Sequence, residues 1–141
     1  MLAARRYMLD TNMVSFIMRG TSAHLMERMH DVPMQSLCIS AITEAELRFG
    51  LARKPEAEAR TKALKLAIDA LLLRLESMPW DSTVSQPYAA LRASLEAQGK
   101  PLAHLDTLIA AHALALGHVL ITNDQAFKRV PGLLVEDWTV G

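Results

Sequence analysis

The chain has 141 residues, a length typical of one domain, and it is 51% hydrophobic and 21% charged. This composition is too apolar for an intrinsically disordered protein, and charged residues interrupt each apolar run before it reaches membrane-spanning length. The 15 Lys and Arg residues balance the 15 Asp and Glu residues, giving a formal net charge of +0. Because no overall positive charge attracts a polyanion, a nucleic-acid site in this chain has to be local.

The start of the chain and its cysteine content both indicate the cytosol. The apolar run after Arg6 stops at Asp10, which is too short for the core of a signal peptide. The single cysteine, Cys38, cannot form an internal disulfide and suits a reducing compartment. We therefore expect cytoplasmic residence and no membrane partner.

The first part of the chain predicts two strands separated by two short helices. Tyr7–Leu9 is a short apolar run typical of a buried strand, and the polar residues 10–12 favour a turn into a helix. Ser22 is placed to cap a second helix, which Pro33 ends. The apolar stretch at residues 36–40 then predicts the second strand.

The central part predicts two helices and a third strand. Thr43, followed three residues later by Glu46, matches a capping box, so we expect a helix to begin there. Pro55 interrupts that helix, and apolar residues at helical spacing predict a long amphipathic helix over residues 56–77. The short segment 78–80 predicts the third strand.

The last part predicts two more helices and two more strands. Asp81 or Ser82 is expected to cap one helix, and the alanine- and leucine-rich residues 105–116 predict the next. Residues 118–122 form the clearest strand pattern in the chain, and residues 133–135 predict a final strand.

Strands that alternate with helices predict an α/β domain with a mainly parallel sheet covered on both faces. No repeat, low-complexity tract or Gly/Ser-rich linker divides the chain, so we expect a single domain over residues 1–141 with four to five strands. In such sheets the ligand site lies at the carboxyl ends of the strands.

Four acidic residues are predicted to meet at that edge. Asp10 and Asp124 follow strands, and Glu46 and Asp106 lie in the first turns of helices that pack on the sheet. Gathered carboxylates repel one another and raise each other's pKa, so such a cluster needs a cation at neutral pH. A ligand set of carboxylate oxygens, with no Cys or His among the ligands, suits Mg²⁺ or Mn²⁺. Either ion can activate water for phosphodiester hydrolysis.

The residues around these acids resemble a known family. The four segments 7–12, 39–47, 105–113 and 122–127 are similar to the four ordered motifs of PIN-domain proteins, and residues 130–138 resemble the tail of the VapC toxins. The resemblance covers nearly the whole chain, since only the first six residues lie outside it. Four motifs in the right order are specific, whereas one Asp-Thr-Asn triplet would not be.

The resemblance implies a fold, an activity and partners. The implied fold is a three-layer α/β/α sandwich, and the implied activity is that of a divalent-metal-dependent endoribonuclease, the toxin of a type II toxin–antitoxin pair. A VapB-like antitoxin, a homodimer and a structured RNA substrate such as tRNA are implied in the same way. The family pattern places metal-binding acids at Asp10, Glu46, Asp106 and Asp124, with supporting polar residues at Thr11, Asn12 and Thr122.

Other interpretations of the same residues stay open at this stage. A capping-box role explains Glu46 without a metal, and the other three acids suit turns or helix starts. The sequence lacks the acid patterns expected of a receiver domain and of a haloacid-dehalogenase-type phosphatase. A non-catalytic PIN-like scaffold remains the alternative function. Participation of Glu44, Glu96 or His104 in the site is undecided. Candidate phosphate contacts are Arg48, Arg53, Lys54, Lys100, Lys128 and Arg129.

Overall fold

The part of the chain that the structure describes is built on a five-stranded parallel sheet. A computed structural model describes residues 5–141, so residues 1–4 of the predicted domain lie outside the described residues. The strands are β1 (Tyr7–Leu9), β2 (Leu37–Ser40), β3 (Glu76–Met78), β4 (Val119–Ile121) and β5 (Val135–Glu136), arranged in the order β3-β2-β1-β4-β5. The predicted α/β class with a parallel sheet of four to five strands is confirmed.

Among residues 5–141, six α-helices connect the strands: α1 (Thr11–Arg19), α2 (Ala23–Asp31), α3 (Ala41–Ala52), α4 (Ala59–Arg74), α5 (Ser82–Ala97) and α6 (His104–Leu116). Ser22 and Asp81 cap α2 and α5 through their side chains, as the sequence predicts. Gly117 ends α6 in the left-handed conformation, with φ of 68°. Within residues 5–141, every helix is too short or too polar to cross a bilayer.

The central strand β1 places alternate residues on opposite faces of the sheet. Met8 lies beside Cys38 and Leu120 in one apolar cluster, which includes residues of α5 and α6. Leu9 lies in the other cluster, which includes residues of α1 and α2. Since both faces of the same strands are buried by helices, the chain forms three layers.

Several predicted boundaries are wrong by a few residues. Helix α3 begins at Ala41 and is capped by Ser40, so the predicted start at Thr43 is displaced by two residues and Thr43 is buried inside the helix. Helix α4 ends at Arg74 rather than at 77, because the next residues pair with β2 as strand β3 instead of the predicted 78–80. The final strand is β5 at 135–136 rather than 133–135.

Candidate functional site

Asp10 lies at the carboxyl end of the central strand and is 4% exposed. One carboxylate oxygen accepts a hydrogen bond from the Met13 backbone N–H at 2.9 Å, which caps α1, and the other accepts from the Thr122 hydroxyl. Burial raises the pKa of Asp10 to about 6, although these two hydrogen bonds oppose the rise. The negative charges of Asp106 and Asp124 raise it further.

Thr122 joins Asp10 to the segment that carries Asp124. Its hydroxyl donates to Asp10 and accepts from the backbone N–H of Asp124 at 3.0 Å, and its side chain is buried. The Asp124 carboxylate accepts from the Ala126 N–H at 2.9 Å and caps the short 3₁₀ helix Gln125–Arg129. One hydroxyl therefore fixes the strand β4 end relative to Asp10.

Glu46 is held by a residue of another helix rather than by its own helix start. The Thr11 hydroxyl, in the first turn of α1, donates to Glu46 Oε1 at 2.8 Å and lies 3.4 Å from the Thr43 hydroxyl. Because Ser40 supplies the cap of α3, the capping-box interpretation of Glu46 is wrong. The Glu46 carboxylate is instead available at the surface between α1 and α3.

Asp106 lies in the first turn of α6 and is half-buried. Burial raises its pKa, and the negative charges of Asp124 and Glu46 raise it further. Asp10, Glu46, Asp106 and Asp124 therefore form one electrostatically linked set, although they come from four separate parts of the chain. The structure brings all four predicted acids to the same edge of the sheet.

The donor set suits a hard cation, but the side chains do not surround a single point. Within the described residues, no three Asp, Glu, His or Cys side chains approach closely enough to hold a metal ion. Three of the carboxylates are engaged by protein donors, namely those of Asp10, Glu46 and Asp124. The set consists of carboxylate oxygens whose mutual repulsion a divalent cation would relieve, and this chemistry fits Mg²⁺ or Mn²⁺.

A cavity of about 510 Å³ adjoins Glu46, and its lining combines polar, basic and apolar side chains. Thr11, Asn12 and Glu46 lie on its wall, and Asn12 is exposed. The cations on the same wall are Arg19, Arg53 and Lys54, and the last two are among the predicted phosphate contacts.

Phe49 lies on an adjoining cavity of about 500 Å³ that shares Glu46, and it is 66% exposed. The Arg53 guanidinium covers its ring at 5.6 Å. Phe49 was not among the residues predicted from the sequence. Its spacing of three residues from Glu46, which puts both on one side of the helix, was the available signal.

The three acidic or basic residues left undecided have other surroundings. Glu44 forms an ion pair with Arg48 at 3.0 Å, and Arg48 is one of the predicted phosphate contacts. Glu96 pairs with Arg92 on α5 and lines a different cavity together with His104. Among the described residues, neither Glu44 nor Glu96 contributes to the raised pKa of Asp10 or Asp106.

The sequence profile of the PIN domain family matches residues 7–133 of the chain. The chain belongs to the PIN domain family. Curated relatives carry the VapC name: the "tRNA(fMet)-specific endonuclease VapC" of Salmonella typhimurium is 35% identical over 94% of this chain and 98% of its own length. The "Ribonuclease VapC2" of Haemophilus influenzae is 34% identical over the same shares of the two chains.

Solved VapC structures share the whole PIN fold seen here. The chain superposes on a structure of DNA-bound VapBC from Salmonella typhimurium with a TM-score of 0.85 and 32% identity, covering 96% of this chain and 99% of the other. The PIN and VapC resemblances drawn from the sequence motifs are therefore confirmed. The roles of the seven predicted site residues stay predictions.

Proposed function

We propose that this PIN domain protein is an endoribonuclease that hydrolyses RNA phosphodiesters with Mg²⁺ or Mn²⁺, as the toxin of a toxin–antitoxin pair. The observation that carries the proposal is the linked set of four carboxylates at the carboxyl edge of the sheet, with the pKa of Asp10 raised to about 6. A cluster in which burial and like charges oppose ionisation is typical of a functional site rather than of a stabilising one.

Asp10, Glu46, Asp106 and Asp124 are the residues that would hold the ion. When bound, a divalent cation supplies a polarised phosphoryl oxygen and a water of lowered pKa. Thr122 keeps one oxygen of Asp10 oriented toward the end of β4, and Thr11 keeps one oxygen of Glu46 oriented toward α1. Such outer contacts set how well carboxylates are placed for a metal.

RNA would approach along the cavity wall that carries Arg19, Arg53 and Lys54. Within residues 5–141, neither Arg53 nor Lys54 forms an ion pair, so both are available to phosphates. This local basic wall reconciles a formal net charge of +0 with an RNA substrate. Because the Salmonella relative is named for tRNA(fMet), we propose tRNA as the substrate class.

The proposed protein partner is a VapB-like antitoxin, since the solved neighbours include VapBC complexes. An apolar cavity of about 200 Å³ between α2 and α4 gathers Met26, Met29 and Met34, flexible side chains suited to a partner surface. Homodimer formation and cytoplasmic residence remain predictions from the sequence.

Cleavage of purified tRNA tests the nuclease proposal. The protein is freed of copurifying antitoxin under denaturing conditions, refolded, and incubated with initiator tRNA or an elongator tRNA in Mn²⁺, Mg²⁺ or EDTA. We expect discrete fragments that require metal. Asp106→Asn should abolish them, whereas Asp31→Asn, the same change at an exposed residue of α2, should leave them unchanged.

Three outcomes would contradict parts of the proposal. Cleavage in EDTA would contradict the metal dependence of the reaction. Full activity of Asp106→Asn would contradict the assignment of the acidic residues to the active site. Binding of tRNA without cleavage in either metal would support the alternative, a non-catalytic PIN-like scaffold.

A further inference from the structure

His112 lies in α6 and is fully buried, yet it makes a polar contact with another element. Its Nδ1 is 2.8 Å from the Ser40 hydroxyl at the end of β2. The same hydroxyl accepts a hydrogen bond from the Ile42 backbone N–H at 3.0 Å and caps α3. The imidazole of α6 is therefore attached directly to the first turn of α3.

The two helices joined in this way carry two of the four site acids. Glu46 comes six residues after Ser40, and His112 comes six residues after Asp106. At the helical rise per residue, each acid lies about 9 Å along its helix from the Ser40–His112 contact. The negative charge of Glu46 also acts on Asp106, so both acids lie on the same side of the Ser40–His112 contact.

Packing alone does not account for a histidine at this position. The Nε2 atom of His112 is buried and has no hydrogen-bond partner among residues 5–141. Leaving a buried polar atom unpaired is unfavourable, and an aliphatic side chain would fill the space without it. Two polar interactions therefore distinguish histidine from an aliphatic side chain here: the 2.8 Å contact of Nδ1 with Ser40 and the effect of the Pro79 backbone on the ring.

We propose that His112 is a positioning residue, which sets the register of α3 against α6 and thereby the separation of Glu46 and Asp106. The role rests on the proposed metal-dependent nuclease function of these acids. His112 itself touches none of the four acids through a hydrogen bond in the described part of the chain. It acts through Ser40 and the two helices.

Three substitutions separate the hydrogen bond from the volume of the side chain. His112→Asn keeps a polar atom at the place of Nδ1, and the amide can either donate to Ser40 or accept from it. His112→Gln moves the amide beyond Ser40, and His112→Leu removes polarity. The Asn and Gln variants remain comparable with each other even where the Leu variant does not fold.

The first measurement is the Mn²⁺ concentration that gives half-maximal tRNA cleavage. We expect His112→Gln and His112→Leu to raise it about 10-fold, whereas His112→Asn stays within about 2-fold of the parent protein. Thermal unfolding of each variant shows that the protein is folded at the assay temperature. A general loss of stability would not give His112→Asn the Mn²⁺ midpoint of the parent protein while raising the midpoints of His112→Gln and His112→Leu together.

The second measurement does not depend on activity. Nitroxide labels at Ala52→Cys and Ala115→Cys, both exposed, report the α3–α6 distance by pulsed electron paramagnetic resonance. The native Cys38 is buried and does not compete for the label. We expect the same distance distribution in the parent and His112→Asn, and a shifted or broadened one in His112→Gln and His112→Leu.

The outcomes distinguish this proposal from the proposed function. Equal Mn²⁺ midpoints and equal distances in the Asn, Gln and Leu variants would overturn the positioning role. A parent protein that cleaves no RNA, combined with the expected ranking of label distances, would overturn the nuclease assignment and leave the register assignment in place.

Discussion

Replacing Asp10 with Asn should stabilise the metal-free protein at neutral pH while abolishing cleavage. Asp10 is 4% exposed and its pKa is raised to about 6 by burial, against an ordinary value of 3.8 in the unfolded chain. Between about pH 4 and pH 6, Asp10 is protonated in the folded state and ionised in the unfolded state. The free energy of unfolding therefore falls as pH rises from about 4 to beyond 6.

The size of the effect follows from the pKa difference. A shift of about two units corresponds to about 3 kcal/mol of stability that the ionised Asp10 removes above pH 6. Asparagine remains neutral and its oxygen can still cap α1 through the Met13 N–H. Loss of the charge-assisted contact with Thr122 offsets part of the gain, so we expect a net stabilisation of about 2 kcal/mol at pH 8.

Urea denaturation in EDTA at pH 4 and pH 8 measures this difference. The parent and Asp10→Asn proteins should agree within about 1 kcal/mol at pH 4 and diverge at pH 8. Asp31→Asn, at an exposed position, should follow the parent at both pH values within about 0.5 kcal/mol. Addition of Mn²⁺ at pH 8 should stabilise the parent protein more than Asp10→Asn.

A single result would refute the reasoning about Asp10. If Asp10→Asn is equally stable or less stable than the parent at pH 8 in EDTA, with the same difference at pH 4, burial of the carboxylate does not oppose its ionisation.

Three further groups of substitutions test other parts of the structure. Thr122→Val removes the hydroxyl that stabilises ionised Asp10, so the pKa of Asp10, followed by carboxyl ¹³C NMR, should rise by about one unit, and an unchanged titration would contradict the contact. Arg53→Ala and Lys54→Ala should each weaken tRNA binding and reduce its salt-dependence slope by about 1, measured by fluorescence anisotropy from 50 to 200 mM salt. Gly117→Ala should cost about 1 kcal/mol in urea denaturation because φ is 68°, whereas Gly50→Ala, inside α3 with free space around its Cβ, should stabilise by about 0.5–1 kcal/mol.

The central strands could be predicted from the sequence because their signals are local. Residues 7–9 and 118–122 are short apolar runs that end at polar turn residues, and β1 and β4 lie there. Strand β3 was misplaced because Glu76 and its neighbours look like the end of a helix. Their strand conformation comes from pairing with β2, which no local pattern reveals.

The convergence of the acids was also predictable, but their contacts were not. Asp10 and Asp124 follow strands, so the rule for parallel sheets places them at one edge. The Thr11–Glu46 and Ser40–His112 contacts join residues 35 and 72 positions apart. Thr43 matched the capping-box pattern, whereas in the structure the cap of α3 is Ser40, whose hydroxyl accepts from the Ile42 backbone N–H.

The bond between Thr122 and Asp10 has a consequence for how the protein is synthesised. It joins residues 112 positions apart, and β1 has only β2 as a sheet neighbour until β4 is made. A nascent chain shorter than 122 residues therefore lacks both the hydroxyl that orients Asp10 and the carboxylate of Asp124. The complete carboxylate set therefore exists only after Asp124 has been translated, when nearly the whole chain has been made.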